Sequence, residues 1–313
     1  MPGKERIAVV GAGLMGHGIA QVFVCAGHEV AITDPDPEAL ESVRERVSAN
    51  LERLGIDASA AQAIELCSEL EQAVEGADAV FEAAPEDVAL KRGLFERMSR
   101  TVAPETILAT NTSVISVGEI GADAADPGRV VGTHWWNPPF LVPLVEVVQA
   151  ERTTDETVAR TIDLLERAGK APVHVRRDVP GFVGNRLQHA LWREAIMVVQ
   201  EGICDAETVD WVVKSGFGLR LPVLGPLENA DLVGLDLTLA IHEYVLPHLD
   251  RTPGPAPLLR ELVQRGELGM KTGRGFRTWS SEEAQAVRER LHDHLAATRP
   301  ESTPTRPEGS RTA

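Results

Sequence analysis

The sequence predicts an α/β protein with a doubly wound, mostly parallel sheet, followed by an all-α C-terminal domain. Up to about residue 178, short apolar runs alternate with helix-like segments, the pattern of a parallel sheet covered by helices on both faces. Beyond the Pro- and Gly-marked segment Asp178–Gly181, strand patterns almost disappear and long helical patterns follow. We therefore expect a sheet domain over residues 1–179, a helical domain over 180–280, and a charged helix with a disordered tail over 281–313.

The individual elements follow from the apolar periodicity along the chain. Strands are expected near residues 6–10, 29–33, 64–67, 78–83, 106–110, 130–134, 144–149 and 172–176. Helices are expected at Val88–Val102, Asp155–Ala168, Phe182–Glu201, Ala206–Ser215, Asp231–Leu249, Ala256–Gln264 and Ser281–Ala297. No internal repeat of a solenoid period is visible, so a two-domain organisation suits the 313 residues.

The composition disfavours several classes of partner. A net charge of −16 argues against nucleic acid and against anionic membrane surfaces. No stretch approaches the roughly 18 apolar residues of a membrane helix, and the N-terminal MPGKER leads directly into the first strand, so we expect no secretory signal. Cys25, Cys67 and Cys204 have no paired or metal-like spacing. They predict small core residues in a cytoplasmic protein without a bound metal.

A glycine-rich turn follows the first predicted strand. It reads Gly11-Ala12-Gly13-Leu14-Met15-Gly16, and a helical run follows it. Glycines at these spacings allow a tight turn, a close approach of backbone N–H groups to a pyrophosphate, and close helix–strand packing, as in Rossmann-type domains. Asp34 ends the second strand, where its carboxylate would bind a ribose diol and repel a 2′-phosphate. The turn, with Leu14 and Met15 at the helix N-terminus, therefore predicts an NAD site rather than an NADP site.

A histidine and a glutamate in two successive strands form the candidate catalytic pair. His134 ends the apolar run RVVGTH, and Glu146 lies within PLVEVV with apolar neighbours on its own face. A carboxylate among valines is costly unless a hydrogen-bonded or charged partner is close. The Pro-rich loop between the runs is long enough to let the two strands pair. We therefore expect a general base whose tautomer is fixed by Glu146.

Five further blocks carry polar or glycine-marked residues. They are Asn111-Thr112-Ser113 after the fifth strand, Asn137 after the His134 strand, Pro180–Arg186 (PGFVGNR), Gly225–Asp231 (GPLENAD) and Lys271–Phe276 (KTGRGF). Asn111 to Ser113 lie at the C-terminal end of a parallel strand, where ligands bind in such folds.

Together these motifs resemble the L-3-hydroxyacyl-CoA dehydrogenase family over roughly residues 5–279. The shared pattern includes the glycine turn, Asp34, the pair Pro85-Glu86, Asn-Thr-Ser, His-x-x-Asn-Pro-Pro, Leu-Val-Glu-Val-Val, Pro-Gly-Phe-x-x-Asn-Arg and Lys-x-Gly-x-Gly-Phe. The resemblance implies NAD-dependent, reversible oxidation of a 3-hydroxyacyl-CoA to a 3-oxoacyl-CoA. It also implies a homodimer that is formed through the helical domain.

The resemblance assigns roles to individual residues. It makes His134 the base that takes the hydroxyl proton, and Glu146 the group that holds it. Ser113 and Asn185 would hydrogen-bond the reacting oxygen or its neighbourhood, and Asn137 would orient the histidine loop. The cofactor contacts that it implies beyond the turn and Asp34 are Glu86, Lys91 and Asn111.

Other interpretations of these residues and of the activity are carried alongside. Ser113 and Asn185 are also suited to capping helices, Glu146 to the outer face of an edge strand, and Glu86 and Lys91 to surface charges. Relatives that act on coenzyme A esters commonly have a lysine-rich excursion after the second strand. The corresponding region here, Glu38 to Glu69, is short and acidic, with three arginines as its only cations. Branches that act on small free hydroxy acids, such as gulonate or carnitine, or on ring-bearing alcohols or aldehydes are the alternative, and a non-catalytic NAD-binding protein is the second.

Overall fold

A computed structural model describes residues 4–298 of the chain. Its sheet has eight strands in the order β3-β2-β1-β4-β5-β6-β7-β8. The strands are β1 (Arg6–Val10), β2 (Glu29–Thr33), β3 (Glu65–Cys67), β4 (Ala79–Glu82), β5 (Ile107–Thr110), β6 (Val130–Trp135), β7 (Leu144–Val148) and β8 (Ala171–Val175). Strands β1 to β6 are parallel, β7 is antiparallel to β6, and β8 is parallel to β7. The predicted doubly wound, mostly parallel sheet is confirmed.

Helices connect these strands and form the C-terminal part of the chain. They are α1 (Gly16–Cys25), α2 (Pro37–Glu41), α3 (Val43–Arg53), α4 (Leu70–Val74), α5 (Val88–Thr101), α6 (Val117–Ile120), α7 (Asp155–Arg167), α8 (Gly184–Gln200), α9 (Ala206–Ser215), α10 (Pro226–Val233), α11 (Leu235–Val245), α12 (Pro257–Gln264) and α13 (Ser281–Ala297). The chain forms two compact units. Among the described residues, the first contains the sheet and comprises residues 4–185 and 293–298, and the second is Arg186–His292. The predicted disordered tail lies outside the described residues.

The sheet has a separate apolar core on each face. Successive side chains of a strand point to opposite faces. Ile7 and Val9 of β1 therefore belong to one cluster, whose helical members come mainly from α1, α3 and α7. Ala8 and Val10 belong to a second cluster, whose helical members come mainly from α4, α5 and α6. Helices cover both faces, which leaves the strand ends as the places where polar side chains gather.

Two predicted helices are wrong at their bounds. The single helix expected at Asp231–Leu249 is divided into α10 and α11, because Gly234 between them has a φ of +104°. The helix expected from Phe182 begins at Gly184 instead. Gly181 and Phe182 both have positive φ angles, at 77° and 49°, which no helical residue adopts. Within residues 4–298, no helix has both the length and the apolar character that a membrane span requires.

Candidate active site

The glycine-rich turn and Asp34 lie side by side at the C-terminal ends of β1 and β2. The Ala12 backbone N–H donates to Oδ2 of Asp34 at 2.6 Å, and the Asp36 N–H donates to Oδ1 at 2.9 Å. Gly11 has a φ of +105°, and a Cβ on it would lie 2.7 Å from the Ala83 carbonyl oxygen. This position therefore requires glycine for both its conformation and its close backbone contact.

The turn is shaped to receive a dinucleotide. No described atom lies within 4 Å of where a Cβ on Gly13 would be, so the backbone here faces open space. Met15 precedes α1 without a side-chain cap, which leaves the helix N-terminus available to an anion. Beside it, the Asp34 carboxylate is half-buried and in place to accept from a ribose diol. These features fit the pyrophosphate and adenosine ribose of NAD.

Two glycine substitutions would separate folding from cofactor binding in this turn. In Gly16→Ala, the new Cβ would lie 1.8 Å from the Gly11 carbonyl oxygen, so the backbone must move. We expect this variant to lose about 1–3 kcal/mol of unfolding free energy and most of its NADH affinity. Gly13→Ala is the matched control, because its methyl group meets no protein atom, and it should lose NADH affinity at nearly unchanged stability. Urea unfolding and NADH fluorescence titration measure the two effects, and equal stability of both variants would contradict the assignment.

Arg46 holds the inner side of the same turn. From α3, its guanidinium donates to the carbonyls of Ala12 at 2.6 Å, Gly13 at 3.3 Å and Ala39 at 2.9 Å. Its burial lowers the pKa of the guanidinium, an effect that the charge of nearby Asp34 opposes. The arginine stabilises the carbonyls of the turn. Sequence reasoning missed this contact, because 33 residues separate Arg46 from Gly13.

His134 and Glu146 are direct cross-strand neighbours. The antiparallel register of β6 and β7 pairs them, and Nδ1 of His134 lies 2.7 Å from Oε2 of Glu146. An ionised carboxylate only accepts hydrogen bonds, so Nδ1 carries a proton, and in the neutral form of the ring Nε2 is the nitrogen with the lone pair. Both residues are at most 4% exposed. Strand β7 lies between β6 and β8, so Glu146 is not on an edge strand.

The environment of Glu146 favours its ionised form. Burial of the carboxyl group opposes ionisation, but hydrogen bonds from His134 and from the backbone N–H groups of Gly184 and Val183 outweigh it and lower its pKa. These N–H groups donate to Oε1 at 3.0 and 2.9 Å. Gly184 is needed for this approach, because a Cβ on it would lie 2.4 Å from the Trp136 ring. The first residue of α8 and the residue before it thus provide backbone donors that favour the ionised form of Glu146.

The loop that joins β6 to β7, residues 136–143, is held by contacts on two sides. The Nζ atom of Lys170, a buried side chain, donates to the carbonyls of Pro139 at 2.5 Å and Val142 at 2.7 Å. A Cβ on Gly18 of α1 would lie 3.0 Å from the Pro139 ring, so the loop packs closely on the helix that follows the glycine turn. The loop that follows the His134 strand therefore packs directly on the helix that begins at the dinucleotide site.

Glu86 and Lys91 belong to one charged network, in which Lys91 is buried and the Glu86 side chain is 36% exposed. Lys91 is fully buried, and its Nζ lies 2.6 Å from Oε1 of Glu82 and 3.6 Å from Oε2 of Glu86. The interpretation of Lys91 as a surface charge is therefore wrong. Glu86 accepts from Thr112 Oγ1 at 2.5 Å and from the Ser113 N–H at 3.0 Å. Burial raises the pKa of Glu86, but these hydrogen bonds and the charge of Lys91 lower it by more.

Sequence reasoning missed Glu82, which is the centre of this network. Its Oε2 accepts from Thr110 Oγ1 at 2.6 Å, and its Oε1 accepts from the Ala84 N–H at 2.7 Å as well as from Lys91. Glu82 ends β4 and is fully buried. The signal that was available is a carboxylate at the end of an apolar strand with a lysine nine residues later, in the next helix.

The structure brings Ser113 and Asn185 together. The side-chain amide of Asn185 donates to the Ser113 carbonyl at 3.1 Å. The helix after Ser113 is α6, and its N-cap is Ser116, whose hydroxyl accepts from the Glu119 N–H. Ser113 is therefore not a helix cap. Its half-buried hydroxyl makes no hydrogen bond with residues 4–298, which leaves it available to a ligand.

The two other predicted amides differ in their surroundings. Asn111 Oδ1 accepts from the Trp135 N–H at 3.1 Å, directly beyond His134, so this amide orients the end of the histidine strand. Asn137 is exposed, and its side chain has no hydrogen-bond partner in the described part of the chain. The role of Asn137 in orienting the loop stays a prediction.

The known families and proteins that match this chain agree with the site. Residues 6–179 match the NAD-binding domain of 3-hydroxyacyl-CoA dehydrogenase, and residues 181–279 match the C-terminal domain of that enzyme. The chain is 41% identical to a probable 3-hydroxybutyryl-CoA dehydrogenase of Bacillus subtilis, over 87% of this chain and 96% of the relative.

A second kind of relative acts on a ring-bearing compound according to its name. The chain is 34% identical to the 5-formyl-3-hydroxy-2-methylpyridine 4-carboxylate 5-dehydrogenase of Mesorhizobium japonicum, over 94% of this chain and 97% of the relative. A crystal structure of a 5-dehydrogenase for that pyridine acid, described as an NAD+ dependent dismutase, has a TM-score of 0.88 at 33% identity. The likeness covers 95% of this chain and 98% of that one. The chain belongs to the 3-hydroxyacyl-CoA dehydrogenase family, whose members are NAD-dependent oxidoreductases.

Proposed function

We propose that this protein oxidises a hydroxyl group to a carbonyl group with NAD as acceptor and with His134 as general base. The observation that carries the proposal is the 2.7 Å contact between His134 and Glu146, in a domain whose glycine turn fits NAD. Bound NAD supplies the acceptor for the hydride that leaves the carbinol carbon. The protein must then remove the hydroxyl proton, since the carbonyl group forms only when the carbinol carbon has lost its hydride and the oxygen has lost its proton.

Each residue of the pair has one task in this reaction. Nε2 of His134 takes the hydroxyl proton as the carbonyl bond forms, and the imidazolium later releases that proton to solvent. Glu146 remains ionised, keeps the proton of the neutral ring on Nδ1, and stabilises the positive charge that develops on the ring. A base in such a position contributes about 10²–10⁴-fold to the rate, or roughly 3–5 kcal/mol.

The remaining polar residues would position the reactants. The Ser113 hydroxyl would hydrogen-bond the reacting oxygen, and the amide of Asn185 would hold the Ser113 segment in place. Glu86 and Lys91 would lie toward the nicotinamide side of NAD, with Asn111 at the end of the neighbouring strand. The hydrogen bonds that Glu86 accepts from Thr112 and Ser113 support one connected wall for the cofactor and the substrate.

For the substrate, we propose a small free hydroxy acid or ring-bearing alcohol or aldehyde without coenzyme A. The three arginines between residues 38 and 69 are all occupied within the protein. Arg44 donates to the Ile64 carbonyl, Arg46 to the glycine turn, and Arg53 to Asp293. A nucleotide with several phosphate charges would find no free cation in this segment. The TM-score of 0.88 with the pyridine-acid dehydrogenase supports the same substrate class.

A coenzyme A thioester is the second candidate, favoured by the 41% identity with the Bacillus subtilis relative. The test is NADH oxidation with acetoacetyl-CoA beside free acetoacetate and a ring-bearing aldehyde acid. We expect kcat/KM for a free acid to equal or exceed that for the thioester. A kcat/KM more than about 100-fold higher for the thioester, equivalent to about 2.7 kcal/mol, would establish the second candidate. No turnover with any of them would contradict the proposed activity.

We also propose a homodimer that is formed through the second unit. None of the residues of α8 to α11 is buried. Large apolar side chains are exposed instead, among them Trp211 at 69% and Leu227 at 80%. Apolar surface of this extent marks a protein interface. Sedimentation equilibrium should give twice the 33.8 kDa of the chain. A single-chain mass at micromolar concentration would contradict the dimer.

A further inference from the structure

A polar cleft of about 820 Å³ lies in the first unit, apart from the catalytic pair. It is lined by residues after β7 (Gln149 to Arg152), residues after β8 (Arg176 to Asp178), and Ser116 and Gly118. Gln149 follows Glu146 by three residues, or about 10 Å along an extended strand. None of the predicted active-site residues lines this cleft. We call it the arginine cleft, after Arg152, Arg176 and Arg177.

These three arginines differ from every other arginine between residues 4 and 185 in having no partner group. Arg152, Arg176 and Arg177 are exposed, and no hydrogen bond, ion pair or ring contact involves them within residues 4–298. Every other arginine between residues 4 and 185 donates to a carbonyl or carboxylate group. All the free guanidinium groups between residues 4 and 185 therefore line one cleft, in a chain whose net charge is −16.

The wall that carries the arginines is held in place by its neighbours. Asp178 Oδ2 accepts from the Ser116 hydroxyl at 2.6 Å and from the Gly118 N–H at 3.0 Å. Gln149 donates to the Thr153 carbonyl at 3.2 Å and to Asp155 at 2.7 Å. These hydrogen bonds thus hold the backbone segments that carry Arg152, Arg176 and Arg177. Two carboxylates, of Glu151 and Asp178, also line the cleft, which leaves a net positive lining.

We propose that the arginine cleft binds a small molecule that carries at least two negative charges on phosphate groups. Guanidinium groups match phosphate oxygens with paired hydrogen bonds, and a doubly charged group can be shared by more than one arginine. The two carboxylates of the lining neutralise only part of the charge of the three arginines, so the cleft attracts an anion. A volume of about 820 Å³ suits a metabolite-sized ligand rather than a single ion.

The experiment is a calorimetric titration with pyrophosphate at constant ionic strength. The protein is first saturated with NADH, so that the glycine turn cannot bind the probe. We expect one saturable site on the wild-type protein. The double variant Arg176→Gln/Arg177→Gln should weaken binding by about 10-fold or more, since each charged hydrogen bond is worth about 1.5–3 kcal/mol.

Arg288→Gln is the matched control, because Arg288 is also exposed and without a partner but lies on α13, outside the cleft. It should change the affinity by less than about twofold. Arg152→Gln is an independent variant on the other wall, should the double variant be unstable to heat. No saturable binding to the wild-type protein, or equal affinity in all cleft variants, would overturn the proposal. Tighter binding of citrate than of pyrophosphate would overturn the assignment to phosphate.

Discussion

His134→Gln should lower kcat by about 10²–10⁴-fold while leaving NADH affinity unchanged. The amide side chain of glutamine cannot accept and hold a proton at neutral pH, so the hydroxyl proton of the substrate would have to pass to water. The cofactor site should persist because its contacts come from the glycine turn, Asp34 and Arg46. Steady-state NADH absorbance and fluorescence titration measure the two quantities separately.

His174→Gln is the matched control for this variant. His174 lies on β8, opposite Val147 in the register, and its Nε2 contacts Gln149 at 2.9 Å. The same chemical change two strands away from His134 should leave kcat within about twofold, as for most substitutions away from a reaction centre. Turnover of His134→Gln at the wild-type rate would refute the role of His134 as base.

Glu146→Gln should lower kcat by about 10²–10⁴-fold as well, although it changes neither size nor shape. The glutamine oxygen would still accept from the N–H groups of Val183 and Gly184, which places its NH₂ group against Nδ1 of His134. The ring proton would then move to Nε2, the nitrogen that must accept the proton of the substrate. The wrong tautomer, rather than a lost contact, causes the expected loss.

A double variant distinguishes this account from a merely structural role of Glu146. If the two residues act as one unit, His134→Gln/Glu146→Gln should be about as slow as the slower single variant. Losses that add fully would show that Glu146 acts independently of the imidazole. The ¹⁵N chemical shifts of the imidazole provide a second readout, since they report which nitrogen of His134 carries the proton in wild-type protein and in Glu146→Gln.

The sheet and the catalytic pair were predictable because both leave local patterns. Buried strands are short apolar runs, and all eight strands were predicted from such runs. Glu146 was found because a carboxylate inside an apolar strand needs a partner, and the nearest histidine was in the strand before it. The turn at Gly11 was recognisable from its spacing and its flanking elements.

The residues that were missed make contacts that exist only in the folded chain and leave no local pattern in the sequence. Glu82 ends a strand, where a carboxylate is usually solvated, and only the fold places Lys91 and Thr110 against it. Arg46 reaches back across more than 30 residues to the glycine turn. Gly234 sits inside a helical pattern, where a glycine costs only about 1 kcal/mol, so its helix-breaking φ was not predictable from the pattern.

The reversal of chain direction between β6 and β7 brings together His134 and Glu146, the proposed proton-transfer pair, from positions that are close in the sequence. A parallel neighbour would have required a crossover of a dozen or more residues, whereas here one short hairpin carries both the acceptor nitrogen and the anion that orients it. The rest of the polypeptide is then free to diverge around this hairpin. A change of the substrate pocket in this chain would therefore not require a change in the contact between the two residues, and its relatives are named for different classes of metabolite.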